Sequence, residues 1–238
     1  MELLKYFEPF KHIDTRAMLS YVEAMEEVVE ALDERLIPDA KTYTLEDLGS
    51  YVKSLVAAQR RKLSFVKPGC WCVVSGDDGM PGDARVDFVF RPTYAAVATL
   101  SRTLCDYPVL AVRTPRFLPT LKQGMKFATY RGLAGHGYEA DQGAIHALRI
   151  LSLGKVPLLL QQHPELCPSL ARIIREVAQS MQDRLATHSA VGIWGEDLSE
   201  GFRQAIETMR LVNDPEFMRS ISEARQDRSV IPRKDWTW

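Results

Sequence analysis

The sequence predicts an all-α fold of antiparallel helical hairpins in two layers, with one small β-ribbon near residues 70–90. Three observations carry this expectation. Apolar residues recur at alternating steps of three and four along most of the chain, which places them on helical stripes. Two stretches, Tyr94–Leu100 and Ala144–Leu153, are apolar or small on nearly every side, as helices of an inner layer are. Only Cys70–Val74 and Arg85–Phe90 are rich in β-formers, and a turn-rich stretch separates them.

Taken in order, a first amphipathic helix is expected over Thr15–Leu36, with Asp14 at its N-cap and Pro38 ending it. Its apolar stripe holds Met18, Val22, Met25, Val29, Leu32 and Leu36, and its glutamates face away. A second is expected from Thr44 to about Leu63, with Glu46 and Asp47 in the first turn. The basic run Gln59-Arg60-Arg61-Lys62 would then complement the negative end of that helix. After the ribbon, Pro92 suits the first turn of an inner helix that Tyr107-Pro108 ends. Thr114-Pro115 opens the next helix, carrying Leu118, Leu121, Met125 and Ala128 to a cap at Gly132. Gly135-His136-Gly137-Tyr138 makes a turn into the second inner helix, which Gly154 stops. Helices over about Val156–Gln162, from Pro168 to beyond Leu185, over about Ser199–Arg210 and from Pro215 complete the chain, before a tail at Val230–Trp238.

With 238 residues, no low-complexity segment and no linker, residues 1–238 read as one helical domain that buries roughly 70% of its unfolded surface. A formal net charge of −1, with basic residues dispersed, argues against a nucleic-acid partner. The longest dense apolar run, Val156–Leu160, is too short for a membrane span. MELLKYFEPF lacks the pattern of a secretory signal, and four irregularly spaced cysteines fit reduced thiols, so a cytoplasmic location is expected.

The candidate chemistry gathers in two segments. Asp77, Asp78, Asp83 and Asp87 either cap turns or offer hard oxygen ligands to a cation, with Asp83 and Asp87 nearest the first inner helix. His136, between two glycines, either holds its turn or brings an imidazole and a backbone N–H to a ligand. Glu139, Gln142, His146 and Arg149 share one narrow polar stripe, which either lines an internal cavity or faces solvent. Cys70-x-Cys72 lacks the second pair that a structural zinc site needs. No spacing names a cofactor or a metal.

Across about residues 83–186, Arg91-Pro92-Thr93-Tyr94-Ala95-Ala96 and Gly135-His136-Gly137-Tyr138 lead into apolar helices flanked by amphipathic ones. In this the chain resembles the helical hairpins of α/α-toroid proteins, such as terpenoid cyclases and prenyltransferase catalytic subunits. The resemblance implies a partial toroid with its site at the central end of the inner helices, gathering Asp83, Asp87, Arg91, Tyr94, His136, Tyr138 and Glu139. The chain has fewer helices than a full toroid and lacks both the aspartate-rich cyclase motif and an ordered Asp/Cys/His zinc set. Those families' activities therefore do not carry over.

The expected function is a small-molecule-binding protein or enzyme with its site between the 76–94 loop and the 135–149 segment. His136 would be the acid or base, with Asp83 and Asp87 orienting it or holding a cation. Arg91 would bind an anionic group, and Tyr94, Tyr138, Glu139 and His146 would line the ligand. The rival is a non-catalytic helical scaffold that anchors a protein partner on Trp194, Trp236 or Trp238. A structural subunit of a homo-oligomer is the third reading.

Overall fold

The computed structural model describes residues 44–60, 68–71, 90–131, 140–192 and 195–226, and among these nine α-helices occur with no strand. An isolated antiparallel bridge joins Val191 to Asp197. The helix expected over Thr15–Leu36, most of the expected ribbon, the Gly132 cap, the Gly-His-Gly turn and the tail lie outside the described residues.

Helix α1 (Leu45–Ala58) starts on a reciprocal cap. The Thr44 hydroxyl accepts from the Asp47 amide at 3.2 Å, and the Asp47 carboxylate accepts from the Thr44 amide at 2.8 Å. The helix ends at Ala58, short of the Leu63 expected from sequence. Gln59 turns extended (ψ 127°), and its buried side-chain amide donates to the Gly69 and Thr120 carbonyls at 3.0 and 2.9 Å. Arg60 leaves the helix with it, giving its amide to the Cys70 carbonyl at 2.8 Å. The last turn of α1 thus carries no basic residue, and Arg61 and Lys62 of the cluster expected to complement its dipole lie outside the described residues.

Trp71 follows at once and is wholly buried. Its indole N–H donates to the Leu55 carbonyl at 2.8 Å, and its backbone amide donates to the Thr93 hydroxyl at 3.1 Å. The ring lies so close to Gly124 that a Cβ there would stand 2.7 Å from it.

Helix α2 (Arg91–Asp106) is the centre of the fold. Residues 96–101 are all buried, so every side of this turn and a half is covered. Its hydroxyls would oppose such burial, since an unsatisfied one costs about 1–3 kcal/mol. Three are returned to the backbone one turn back, whereas Thr93 bonds the Trp71 backbone, accepting its amide and donating to its carbonyl. Thr99 donates to the Ala95 carbonyl, Ser101 to Val97 and Thr103 to Thr99, at 2.8, 2.6 and 2.8 Å.

A short helix α3 (Pro108–Arg113), not expected from sequence, turns the chain back, and α4 (Phe117–Arg131) runs antiparallel to α2. Phe90 beside Phe127, and Val97 beside Gly124, fix that direction. Thr114-Pro115 does not open α4. Arg116 takes a left-handed backbone (φ 66°), and the buried stripe becomes Phe117, Leu121, Met125 and Ala128. Leu118, expected on it, is 48% exposed.

Helix α5 (Ala140–Leu153) lies against α2, with Ala144, Ala147, Leu148 and Leu151 buried. Leu153, the last residue of the helix, is 60% exposed, against the all-round burial expected from sequence, whereas Leu151 and Ser152 before it are fully buried. Gly154 then meets α2 backbone to backbone, since a Cβ there would fall 2.3 Å from the Ala98 Cα. Lys155 takes φ 59° and pairs with Asp106, whose other oxygen faces Arg102 at 3.5 Å. Among the described residues no single helix is long and apolar enough to cross a membrane. Gly143–Leu153 and the following helix α6 (Val156–Gln162) pass such a test only together, and they bend by 60°.

Helices α7 (Pro168–Ala186), α8 (Ser199–Asn213) and α9 (Pro215–Gln226) complete the array. The Cys167 sulfur at the head of α7 lies 3.4 Å from the Thr129 hydroxyl at the end of α4. Gly201 of α8 meets Ile145 of α5, and the Arg184 guanidinium covers the Phe202 ring at 4.9 Å. Asp214 caps α9 by accepting the Glu216 and Phe217 amides at 2.9 and 3.2 Å.

Two glycine substitutions separate close approach from helix propensity. Gly154→Ala drives a methyl into the Ala98 backbone and should cost about 1–3 kcal/mol. Gly143→Ala, where no described atom lies within 4 Å, should gain up to about 1 kcal/mol through helix propensity. Urea melts of both variants check the opposite signs.

Candidate functional site

The polar segments flagged by sequence attach to the described helices at one place. Residues 72–89 lead into Phe90 and α2, whereas residues 132–139 leave α4 and enter α5. Phe90 stacks on Phe127 with ring centroids 5.3 Å apart, and Tyr94 adds a third ring 6.4 Å from Phe90. Phe127 is four residues, about 6 Å along the axis, from the last residue of α4. One end of the α2/α4 pair therefore receives the acidic segment and releases the Gly-His-Gly segment.

Of the expected site residues, Tyr94 is buried in the first turn of α2 and His146 is half-buried on α5. Arg91 is the first residue of α2. Asp83, Asp87, His136, Tyr138 and Glu139 lie outside the described residues. On the polar stripe of α5, Arg149 is exposed and opens on a groove shared with α7 and α8, so the stripe leaves the interior before the helix ends.

Burial pushes the Tyr94 phenol well above its ordinary range. The Cys105 thiol is raised as well, by burial first and by neighbouring Asp106 second, against the Lys155 ammonium, which lowers it. A thiol so placed is held protonated and is a poor nucleophile. Cys167 is buried as a small core residue, as expected, while Cys105 is only half-buried. Among the described residues no three His, Cys, Asp or Glu side chains gather to hold a metal.

Trp71 and Phe127, which join the frame around this end, are not singled out from sequence, nor is the bridging role of Gln59, which bonds Thr120 in the first turn of α4. Trp71 sits inside the flagged stretch, and a lone tryptophan beside a Pro-Gly break was the available signal. Gln59 and Phe127 act through partners distant in sequence, which periodicity does not register. No protein-family model matches the chain, nor does any curated protein or solved structure.

The raised Tyr94 pKa sets an alkaline limit. Below about pH 10 the phenol is protonated in the folded and the unfolded chain alike, and its contribution is intact. As pH rises further the unfolded chain ionises while the folded one keeps its proton, so stability falls. Urea melts at about pH 9 and about pH 11 should show a smaller loss in Tyr94→Phe than in the parent. Equal losses would mean that Tyr94 titrates normally.

Proposed function

We propose that the protein is a small-molecule-binding protein or enzyme whose site lies between the 76–94 loop and the 135–149 segment. The observation that supports this is the Phe90–Phe127 stack, which draws the roots of both segments to one end of the buried α2/α4 pair. Chains rarely bring several charged and imidazole groups to the end of an apolar core without use, because burying such a group unpaired costs several kcal/mol. In this reading His136 is the acid or base, since imidazole titrates nearest neutrality. Asp83 and Asp87 orient it or hold a cation, and Arg91 binds an anionic group. Tyr94, Tyr138, Glu139 and His146 surround the ligand. The finer expectation of a partial toroid belongs with this proposal, because it also puts the site at one end of the inner helices.

A thermal-shift panel of divalent cations and phosphorylated metabolites tests it. A ligand at about 100 times its Kd adds about 2.7 kcal/mol, or roughly 5–10 °C in Tm for a chain of this size. His136→Ala and Asp87→Asn should remove that shift, while Arg149→Ala, on the exposed part of the stripe, should keep it. A shift that survives both site substitutions, or a panel without any shift, overturns the reading and leaves the scaffold alternative in front.

A further inference from the structure

A concavity with a volume of about 690 Å³ lies between α6, α7 and α8. That size falls within the range of small-molecule sites. Leu160 and Ile174, both buried, form its floor, with the partly buried Met209 beside them. Pro157, Pro164 and Pro168 stiffen its walls, since each fixes its own backbone φ. The apolar floor would gain from a hydrocarbon or aromatic body.

The rim carries a net positive charge, from two arginines against one aspartate. Arg175 reaches the groove from α7 and Arg210 from α8, and neither forms an ion pair with a described residue. The one carboxylate among the described lining residues, Asp214, keeps its charge but commits Oδ1 to the first amides of α9, so two guanidinium groups stand against one partly engaged carboxylate. Two guanidinium groups above an apolar floor match a carboxylate, which they can hold through charge-assisted hydrogen bonds. A neutral apolar ligand would leave them unused, and a small inorganic anion would leave the floor wet.

We propose that this groove binds a small amphipathic carboxylic acid, with the apolar body on Leu160, Ile174 and Met209 and the carboxylate between Arg175 and Arg210. It is a separate site from the one at the end of α2, and His136→Ala should leave it intact.

The test displaces a fluorescent probe, anilinonaphthalene sulfonate, from the full-length chain with decanoate, using decanol as the uncharged counterpart. Decanoate should compete at least tenfold better than decanol. The double variant Arg175→Gln, Arg210→Gln should weaken decanoate at least tenfold and erase its advantage over decanol, with Tm unchanged. Arg172→Gln removes a charge from the same helix outside the groove and should change nothing. Ala171→Trp, which fills the groove, should abolish the displaceable probe signal. Equal competition by decanol overturns the proposal, as does an equal loss in Arg172→Gln. Tighter decanoate binding in Trp236→Ala, Trp238→Ala overturns it too, because the chain's own aromatic segment would then be the occupant.

Discussion

The bond from the Trp71 indole to the Leu55 carbonyl is the constraint on which the arrangement of α1, α2 and α4 depends. A tryptophan buries about 150–250 Å², and at ~25 cal/mol per Å² that is a gross gain of about 4–6 kcal/mol. The gain is realised only if the ring's one polar group finds a partner, and Leu55 supplies it near the end of α1. The ring also needs a flat place to lie, and Gly124 is that place, because any Cβ there would strike it. The Trp71 backbone amide then fixes the start of α2 through Thr93. Three helices distant in sequence are set by one side chain and its own backbone. Gln59 reinforces the same node, bridging the end of α1 to Gly69 and to Thr120 in the first turn of α4.

Around that node the core solves a problem its composition creates. Helix α2 is buried on every side through its middle, yet it carries Thr93, Thr99, Ser101 and Thr103, all buried. Leucines would give more transfer energy there but would hold neighbouring backbones apart. Small hydroxyl residues cost little once bonded, Thr99, Ser101 and Thr103 to their own helix and Thr93 to the Trp71 backbone, and they let neighbours approach, as does Ala98 where Gly154 meets it. The geometry is therefore backbone-limited, and its tolerance to larger side chains is low.

The sequence made the helices legible where a local signal suffices. The start of α1 at Thr44 with Glu46 and Asp47 in its first turn, and the prolines opening α2, α7 and α9, all act within a turn or two, and the structure follows them. The misreadings have a common cause. α3 is six residues long, too short for periodicity to emerge, and Tyr107-Pro108 reads equally as a stop and as a start. Arg116 adopts a left-handed backbone that no residue-type rule assigns to arginine, which moved the stripe of α4 from Leu118 to Phe117. α1 stops at Ala58 because the Gln59 side chain is drawn to a carbonyl of a distant helix. Of the candidate site, the helix roots and the burial of Tyr94 could be anticipated, but the Phe90–Phe127 stack that relates the two segments could not.

That stack also bears on what kind of chemistry the end of the α2/α4 pair can support. Tyr94 is buried behind it and held in its neutral form, so it presents an aromatic wall with a protonated phenol, not a base. Among the described residues no metal-binding trio stands there, and the only thiol near the opposite end of α2, Cys105, is kept protonated. The helices thus contribute packing, fixed roots for the adjoining segments, and the partial positive charge of the α2 N-terminus beside the partial negative charge of the α4 C-terminus. In the proposed reading, proton transfer or cation binding at this end falls to Asp83, Asp87 and His136 of those segments. In that reading the frame supplies position and its connections carry the reactive groups, which lets the packed core stay apolar.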